Sequence, residues 1–203
     1  MRTTTAVLIV GVMLASSSLF AQDASKEKDE EAVRTAKLIQ IYHEHARSYV
    51  MQEPDSGTTL ELQPKPVFNW LNTARVGTPR VQHGAVFVWT HKGRAEVIGT
   101  VFSQTIGAAS PSMYHEFHSL SPEPITAIRD NVVHWDVQQA GIEPNLVPDA
   151  PEPSQTRPLR MIQMREMARR FSGYSINYDD KRWDLSLLPQ PLHRTDGRDI
   201  DRP

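Results

Sequence analysis

Hydrophobic positions near the start of the chain recur with the period of an α-helix. Between Ala32 and Val50, one helical face within about 80° holds most of the apolar side chains. Its members are Ala32, Ala36, Ile39, His43, Ala46 and Val50. Charged and polar side chains occupy the opposite face, and Pro54 and Gly57 follow the segment. The pattern predicts one long amphipathic helix over 32–50, preceded by a charged leader at 22–31.

The middle of the chain changes to the character of β-strands. Short runs rich in β-branched and aromatic residues are separated by Gly, Pro and Asn, which predicts antiparallel strands. They are Gly84–Thr90, Ala95–Ser103, Met113–Leu120, Ile125–Arg129 and Val132–Val137. Lys92 and Gly93 separate the first two runs, and a glycine there suits the tight turn of a β-hairpin.

The last third begins with five prolines between positions 143 and 158. Such a segment is extended and predicts a surface connector rather than a central strand. A second helix is predicted over 159–171, with three methionines and Phe171 on its apolar face. The alternating run 182–188 then predicts a late, half-buried strand that includes Trp183.

This order of elements predicts a single α+β domain over 32–194. We expect the long N-terminal helix to pack on a curved antiparallel sheet, accompanied by the second helix and the late strand. Five of the last eight residues are charged. This composition predicts a disordered tail over 195–203 and an incompletely paired sheet.

The first 21 residues have the layout of a secretory signal peptide. Arg2 precedes an apolar run at 6–15, and small residues lead to a predicted cleavage after Ala21. The apolar stretch is shorter than the roughly 18 residues that span a bilayer. We therefore expect export to the periplasm or the extracellular space, with no membrane attachment after cleavage.

Composition excludes several functional classes. The 203 residues include no cysteine and carry a formal net charge of -2. Disulfide scaffolds, zinc–cysteine sites and thiol nucleophiles are therefore excluded, and binding to nucleic acid by charge is not expected. The chain also lacks glycine-rich phosphate loops, so we expect no nucleotide cofactor.

Three segments carry a family resemblance: GAVFVWT at 84–90, HEFHSL at 115–120 and LLPQPL at 187–192. With these motifs, roughly 66–194 resembles a family of uncharacterised exported proteins from planctomycete-type bacteria, whose function is unknown. The resemblance implies export and a single domain, and it implies no catalytic residues. Family members look as though they continue with another apolar strand after the last motif. Truncation of this C-terminal end and a shifted reading frame are two interpretations of the difference.

Histidines and carboxylates supply the candidates for catalysis. On a strand, Glu116 and His118 share one face and His115 takes the other. Folding could bring a further histidine, His83, His91 or His134, near this pair. An exposed histidine beside a carboxylate can shuttle protons near neutral pH. Neither His43-Glu44-His45 nor the 115–118 run has the spacing of a zinc hydrolase, so no metal site is expected.

Tryptophans supply the candidates for ligand binding. Trp70 and Trp135 could stack on a sugar or peptide, because aromatic faces offer a large contact area. Trp89 and Trp183 lie in alternating strand patterns and are expected in the core. The methionine face of the second helix is expected to pack in the core too.

Together these patterns favour a non-catalytic exported domain that binds a small ligand or a protein partner. The alternative is a hydrolase or lyase that uses Glu116 and His118, with a metal as an option.

Overall fold

The computed structural model describes residues 29–74, 80–143, 145–176 and 180–194. Within them, residues 29–47 form helix α1, and Arg157–Ala168 form helix α2. The strands in chain order are β1 Val50–Gln52, β2 Glu61–Leu62, β3 Phe68–Ala74, β4 Arg80–His91, β5 Arg94–Ile106, β6 Ser112–Ser119, β7 Ile125–Arg129, β8 Val132–Val137, β9 Tyr174–Ile176 and β10 Arg182–Asp184. All pairings among them are antiparallel, so the predicted α+β class is confirmed.

The β4–β5 hairpin is the centre of the fold, and its turn is the predicted one. Lys92 and Gly93 both have positive φ, at 48° and 80°. That geometry is the two-residue turn whose twist matches the twist of the flanking strands. The two strands pair over almost their whole length, with one register shift between Trp89 and Thr90.

The strands of the described residues form three separate sheets. In the largest sheet, β4, β5 and β6 lie side by side, and both β2 and β3 pair with the free side of β4. A smaller sheet has the order β1-β7-β8, and β9 pairs with β10 alone. Strand β6 is thus an edge of the large sheet, and β8 is an edge of the small one.

The core lies between the inner face of the large sheet, the small sheet and the first helix. Its fully or nearly fully buried members come from all three, and they include Tyr42, Ala46, Met51, Phe87, Trp89, Val97, Val101, Ile125 and Ala127. Gly99 is required at the centre. A Cβ atom there would lie 2.7 Å from Cζ3 of Trp89 and 2.8 Å from Cδ1 of Phe117. Both rings therefore pack directly on the backbone of β5.

Several details of the sequence prediction are wrong. Helix α1 ends at residue 47, Val50 belongs to β1, and residues 29–31 of the predicted leader are already helical. The short strands β1, β2, β3 and β9 were not predicted. The predicted signal peptide, most of the leader and the predicted tail lie outside the described residues. No helix in the described part of the chain is long and apolar enough to cross a membrane.

The C-terminal elements differ most from expectation. Trp89 is buried as predicted, whereas Trp183 is 62% exposed on β10, which ends at Asp184. Helix α2 has no buried residue, and Met164 is 56% exposed. Periodicity identifies an apolar face correctly, but it does not say whether another element covers that face.

A carboxylate of β5 is buried beside the core. Glu96 on β5 is fully buried, and Arg94 donates two hydrogen bonds to it, at 2.8 and 2.9 Å. Burial raises the pKa of Glu96, while the hydrogen bonds from Arg94 and Ser121 oppose this effect. Arg94 thus compensates a charge that would otherwise be costly to bury.

Replacing Arg94 with methionine tests this ion pair. We expect Arg94→Met to lower the free energy of unfolding by about 2 to 4 kcal/mol at pH 8, because it leaves a buried charge without its partner. The loss should shrink as pH falls, because a protonated Glu96 no longer needs a cation. Urea denaturation at a series of pH values measures both effects.

The control is an arginine–carboxylate pair that is also two positions apart but lies on an exposed strand. Arg182 contacts Asp184 at 2.8 Å, but both side chains are more than half exposed. Arg182→Met should cost less than about 1 kcal/mol, as exposed pairs do. Equal losses in the two variants would contradict the role assigned to Arg94.

Candidate functional site

A cleft of about 740 Å³ opens beside the edge strand β6, where residues of β7 and β8 form the other wall. Its lining includes Tyr49, His115, Phe117, Arg129, His134 and Trp135. These residues come from the end of the first helix and from both larger sheets. The cleft therefore lies where the large sheet and the small sheet pack against each other.

The alternation of β6 decides which side chains reach the cleft interior. Burial along the strand alternates at every residue, with Met113, His115 and Phe117 half-buried and Tyr114 and Glu116 exposed. Neighbouring residues of a strand point to opposite faces. His115 and Phe117 therefore point inward and Glu116 lies at the outer rim, so His115 and Glu116 take opposite faces as predicted.

A chain of hydrogen bonds joins three inward side chains. The Tyr49 hydroxyl lies 2.9 Å from Nδ1 of His115, and Nε2 of His115 lies 3.1 Å from Nδ1 of His45. A neutral imidazole donates from one nitrogen and accepts at the other. The chain can therefore run from Tyr49 to His45 or in the reverse direction, depending on the tautomer of His115.

Burial favours the neutral forms of two members of this chain, His115 and Tyr49. Burial, together with repulsion from His45, Arg129 and His134, lowers the pKa of His115 to about 4. Burial raises the pKa of Tyr49, although Arg129 acts against this effect. Near pH 7, both side chains are thus uncharged donors and acceptors.

Aromatic rings form the rest of the wall. Phe117 packs edge-on against Tyr49 at 4.9 Å between ring centroids and lies 5.6 Å from Trp135. The Cζ atom of Arg129 lies 5.0 Å from the centroid of the Tyr49 ring, a cation–π arrangement. The half-buried guanidinium of Arg129 therefore lies among aromatic rings.

The predicted site residues fall in different places. Trp135 lines the cleft, and Glu116 and His118 contribute to its outer rim. Among the contacts of the described residues, no hydrogen bond joins Glu116 to His118. Trp70 lies on the other face of the large sheet, opposite Gly84.

Two other histidines, His83 and His43, pack against aromatic side chains of the core. His83 is buried, 3.3 Å from the Tyr42 hydroxyl, and burial lowers its pKa. His43 stacks on Phe87. In the described part of the chain, no group of three or more His, Asp or Glu residues is arranged to hold a metal ion.

Sequence reasoning did not identify Tyr49, His45 and Arg129 as site residues. His45 and Tyr49 are four positions apart within the predicted helix, a spacing that places side chains on one face. That signal was present in the sequence, but their partner His115 lies 70 positions from His45 and 66 from Tyr49.

No protein-family model, curated protein or solved structure matches the chain. The resemblance to exported bacterial proteins therefore stays a prediction.

The pKa of His115 predicts how stability depends on pH. Between pH 6.5 and 4 the unfolded chain binds a proton at this histidine, whereas the folded protein does not. The contribution of His115 to stability is therefore complete above pH 6.5 and is lost as pH falls toward 4. His115→Gln should reduce the slope of unfolding free energy against pH by up to about 1.4 kcal/mol per pH unit.

Denaturation with urea between pH 4 and 7 measures this slope. His118→Gln is the matched control, because His118 is an exposed residue on the opposite face of the same strand. Its slope should stay within error of the parent. A His115→Gln slope equal to that of the parent would contradict the assigned pKa.

Proposed function

We propose that this protein is an exported α+β domain that binds a small anionic ligand with an aromatic or apolar body in the cleft between β6 and β8. In this proposal, the large sheet curves around the first helix and the ligand occupies the open edge. The observation that carries it is the position of Arg129. Among the described residues, Arg129 has one carboxylate within 4 Å, at 3.8 Å, and it belongs to an Asp130 side chain that is 90% exposed.

The geometry around Arg129 suits such a ligand. A guanidinium can bind a carboxylate or phosphate with two hydrogen bonds in one plane. Tyr49 and His134 meet edge-to-face beside it, at 6.0 Å between ring centroids, and offer polar atoms. Phe117 and Trp135 supply an apolar surface for the rest of the molecule. A volume of about 740 Å³ is typical of small-molecule sites, which favours a small ligand over a protein partner.

The pKa directions favour binding over catalysis. A general acid or base works best when its pKa lies near the operating pH. The pKa of His115 is about 4, and the pKa of Tyr49 is raised from its usual value of 10.0. Both side chains are therefore neutral near pH 7. Neutral hydrogen-bonding groups orient a ligand without exchanging protons with it.

The alternative is a hydrolase or lyase. Its support is the hydrogen-bonded chain of Tyr49, His115 and His45, through which a proton could pass between the two ends. In this alternative, Glu116 and His118 at the outer rim would be the acid–base pair. Turnover of an ester or other test substrate that is lost in His118→Gln would favour the enzyme over the binding domain.

Phenyl phosphate is a suitable probe of the proposed site, because it combines an anion with an aromatic ring. We expect saturable shifts of the His115 and His134 ring signals in NMR titrations at neutral pH. Arg129→Gln should weaken the binding at least about tenfold, because a charge-assisted hydrogen bond contributes roughly 1.5 to 3 kcal/mol.

Two controls define the result. Arg47→Gln removes an exposed arginine near the end of the same helix that carries His45, and the affinity should not change. Benzyl alcohol, which lacks the anion, should bind far more weakly than phenyl phosphate. Equal binding of the two probes, or unchanged affinity in Arg129→Gln, would contradict the proposal.

Export is a separate part of the proposal, supported by the sequence pattern of residues 1–21 and by the family resemblance. Expression of the full chain in a bacterium should yield a protein outside the cytoplasm that begins at Gln22 or within a few residues of it. Fractionation followed by intact mass measurement tests this. A full-length chain retained in the cytoplasm would overturn it.

A further inference from the structure

The outer face of the large sheet carries a row of aromatic side chains, of which Tyr114 at the sheet edge also lines the cleft. Trp70 on β3, Gly84 on β4, Phe102 on β5 and Tyr114 on β6 lie directly opposite one another in register. Paired residues of adjacent strands point to the same face of a sheet. The three rings therefore form one line across four strands.

The rings form a continuous platform because the second position of the row is glycine. A Cβ atom on Gly84 would lie 2.7 Å from Cε2 and Cζ2 of Trp70 and 2.7 Å from Cβ of Phe102. Trp70 therefore extends over the bare backbone of β4 and reaches Phe102, at 5.8 Å between ring centroids. Phe102 stacks on Tyr114 at 5.1 Å with 16° between the planes, and Tyr114 is 42% exposed.

A row of amides borders the platform on one side. The Asn72 amide nitrogen lies 3.4 Å from the Gln82 amide oxygen, and the Gln82 nitrogen donates to the Gln104 oxygen at 2.7 Å. Each amide group carries two donor hydrogens and an oxygen with two lone pairs. One bond to a neighbour uses only part of this capacity, so the row can also bond a ligand.

On the other side of the platform, the next row contains Thr100 opposite Glu116. The three rows on this part of the sheet contain no lysine or arginine and a single carboxylate. Single-stranded nucleic acids stack on aromatic platforms too, but they require cations along the groove. The charge of this face therefore fits a neutral, polar ligand.

We propose that this outer face binds a neutral polysaccharide. The apolar face of a sugar ring would stack on Trp70, Phe102 and Tyr114, and its hydroxyl groups would bond the amides of Gln82 and Gln104. The platform spans three strand intervals, or about 14 Å. That length favours a short stretch of a chain over a single monosaccharide. Of the three rings, only Tyr114 also lines the cleft, and the proposal does not depend on the ligand proposed there.

Native electrophoresis through gels that contain a soluble polysaccharide tests the proposal. The probes are hydroxyethyl cellulose, xylan, mannan and laminarin, and polygalacturonate is the acidic comparison. We expect at least one neutral polysaccharide to slow the folded protein and polygalacturonate to have no effect. Tyr114→Ala should lower the affinity for the polysaccharide, measured from the retardation, at least about tenfold. This change is within the range for loss of a stacking aromatic side chain.

Matched variants separate binding from folding. Tyr114→Phe keeps the ring and should retain binding. Trp183→Ala removes an exposed tryptophan on another sheet and should leave binding unchanged. Far-UV circular dichroism checks that each variant is folded, and Tyr114 is exposed enough for its replacement to be tolerated.

Three outcomes would overturn the proposal. The first is that none of the neutral polysaccharides slows the protein. The second is that polygalacturonate slows it equally, and the third is that Trp183→Ala weakens binding as much as Tyr114→Ala does. Arg129→Gln should leave the retardation intact, so a failure at the cleft and a failure at the outer face can be told apart.

Discussion

The Tyr49 ring packs against both of the larger sheets at once. It meets Phe117 and His115 on β6 edge-on, and it meets His134 on β8 in the same way. Arg129 of β7 lies over its face. Tyr49 is only 6% exposed and lies just after the first helix, so its ring separates the edge strands β6 and β8. These two strands form the walls of the cleft.

The same position explains the electrostatics of the cleft. Placing a phenol and an imidazole in a poorly hydrated junction disfavours their charged forms. Arg129 remains charged in all conditions of interest, since a guanidinium does not lose its proton in proteins. The junction therefore concentrates one permanent positive charge among neutral hydrogen-bonding groups and rings. This asymmetry is the reason for proposing an anion, rather than a cation, as the ligand of the cleft.

The parts of the fold that depend on local sequence could be predicted. The hairpin around Gly93 and the strands at Ile125 and Val132 follow from alternation and turn chemistry over a few residues. Strand β3 could not be predicted in this way, because it exists through its pairing with β4 and reads locally as an irregular run. For the same reason, alternation alone placed His115 on the face opposite to Glu116 and His118, but it did not identify which face is inward or the partners of His115. Trp183 shows the opposite error, since a strand pattern was present but no element covers it in the described residues.

Strand β6 contributes to both surfaces, and its register decides which side chains face each of them. Tyr114 faces the outer platform and also lines the rim of the cleft, while His115, its neighbour in sequence, points into the cleft. A slip of one residue would exchange the two sets of side chains. Gly99 opposes such a slip, because it lies opposite Phe117 and only a glycine leaves space there for the rings of Phe117 and Trp89. The packing of the core at Gly99 therefore determines which side chains each surface presents.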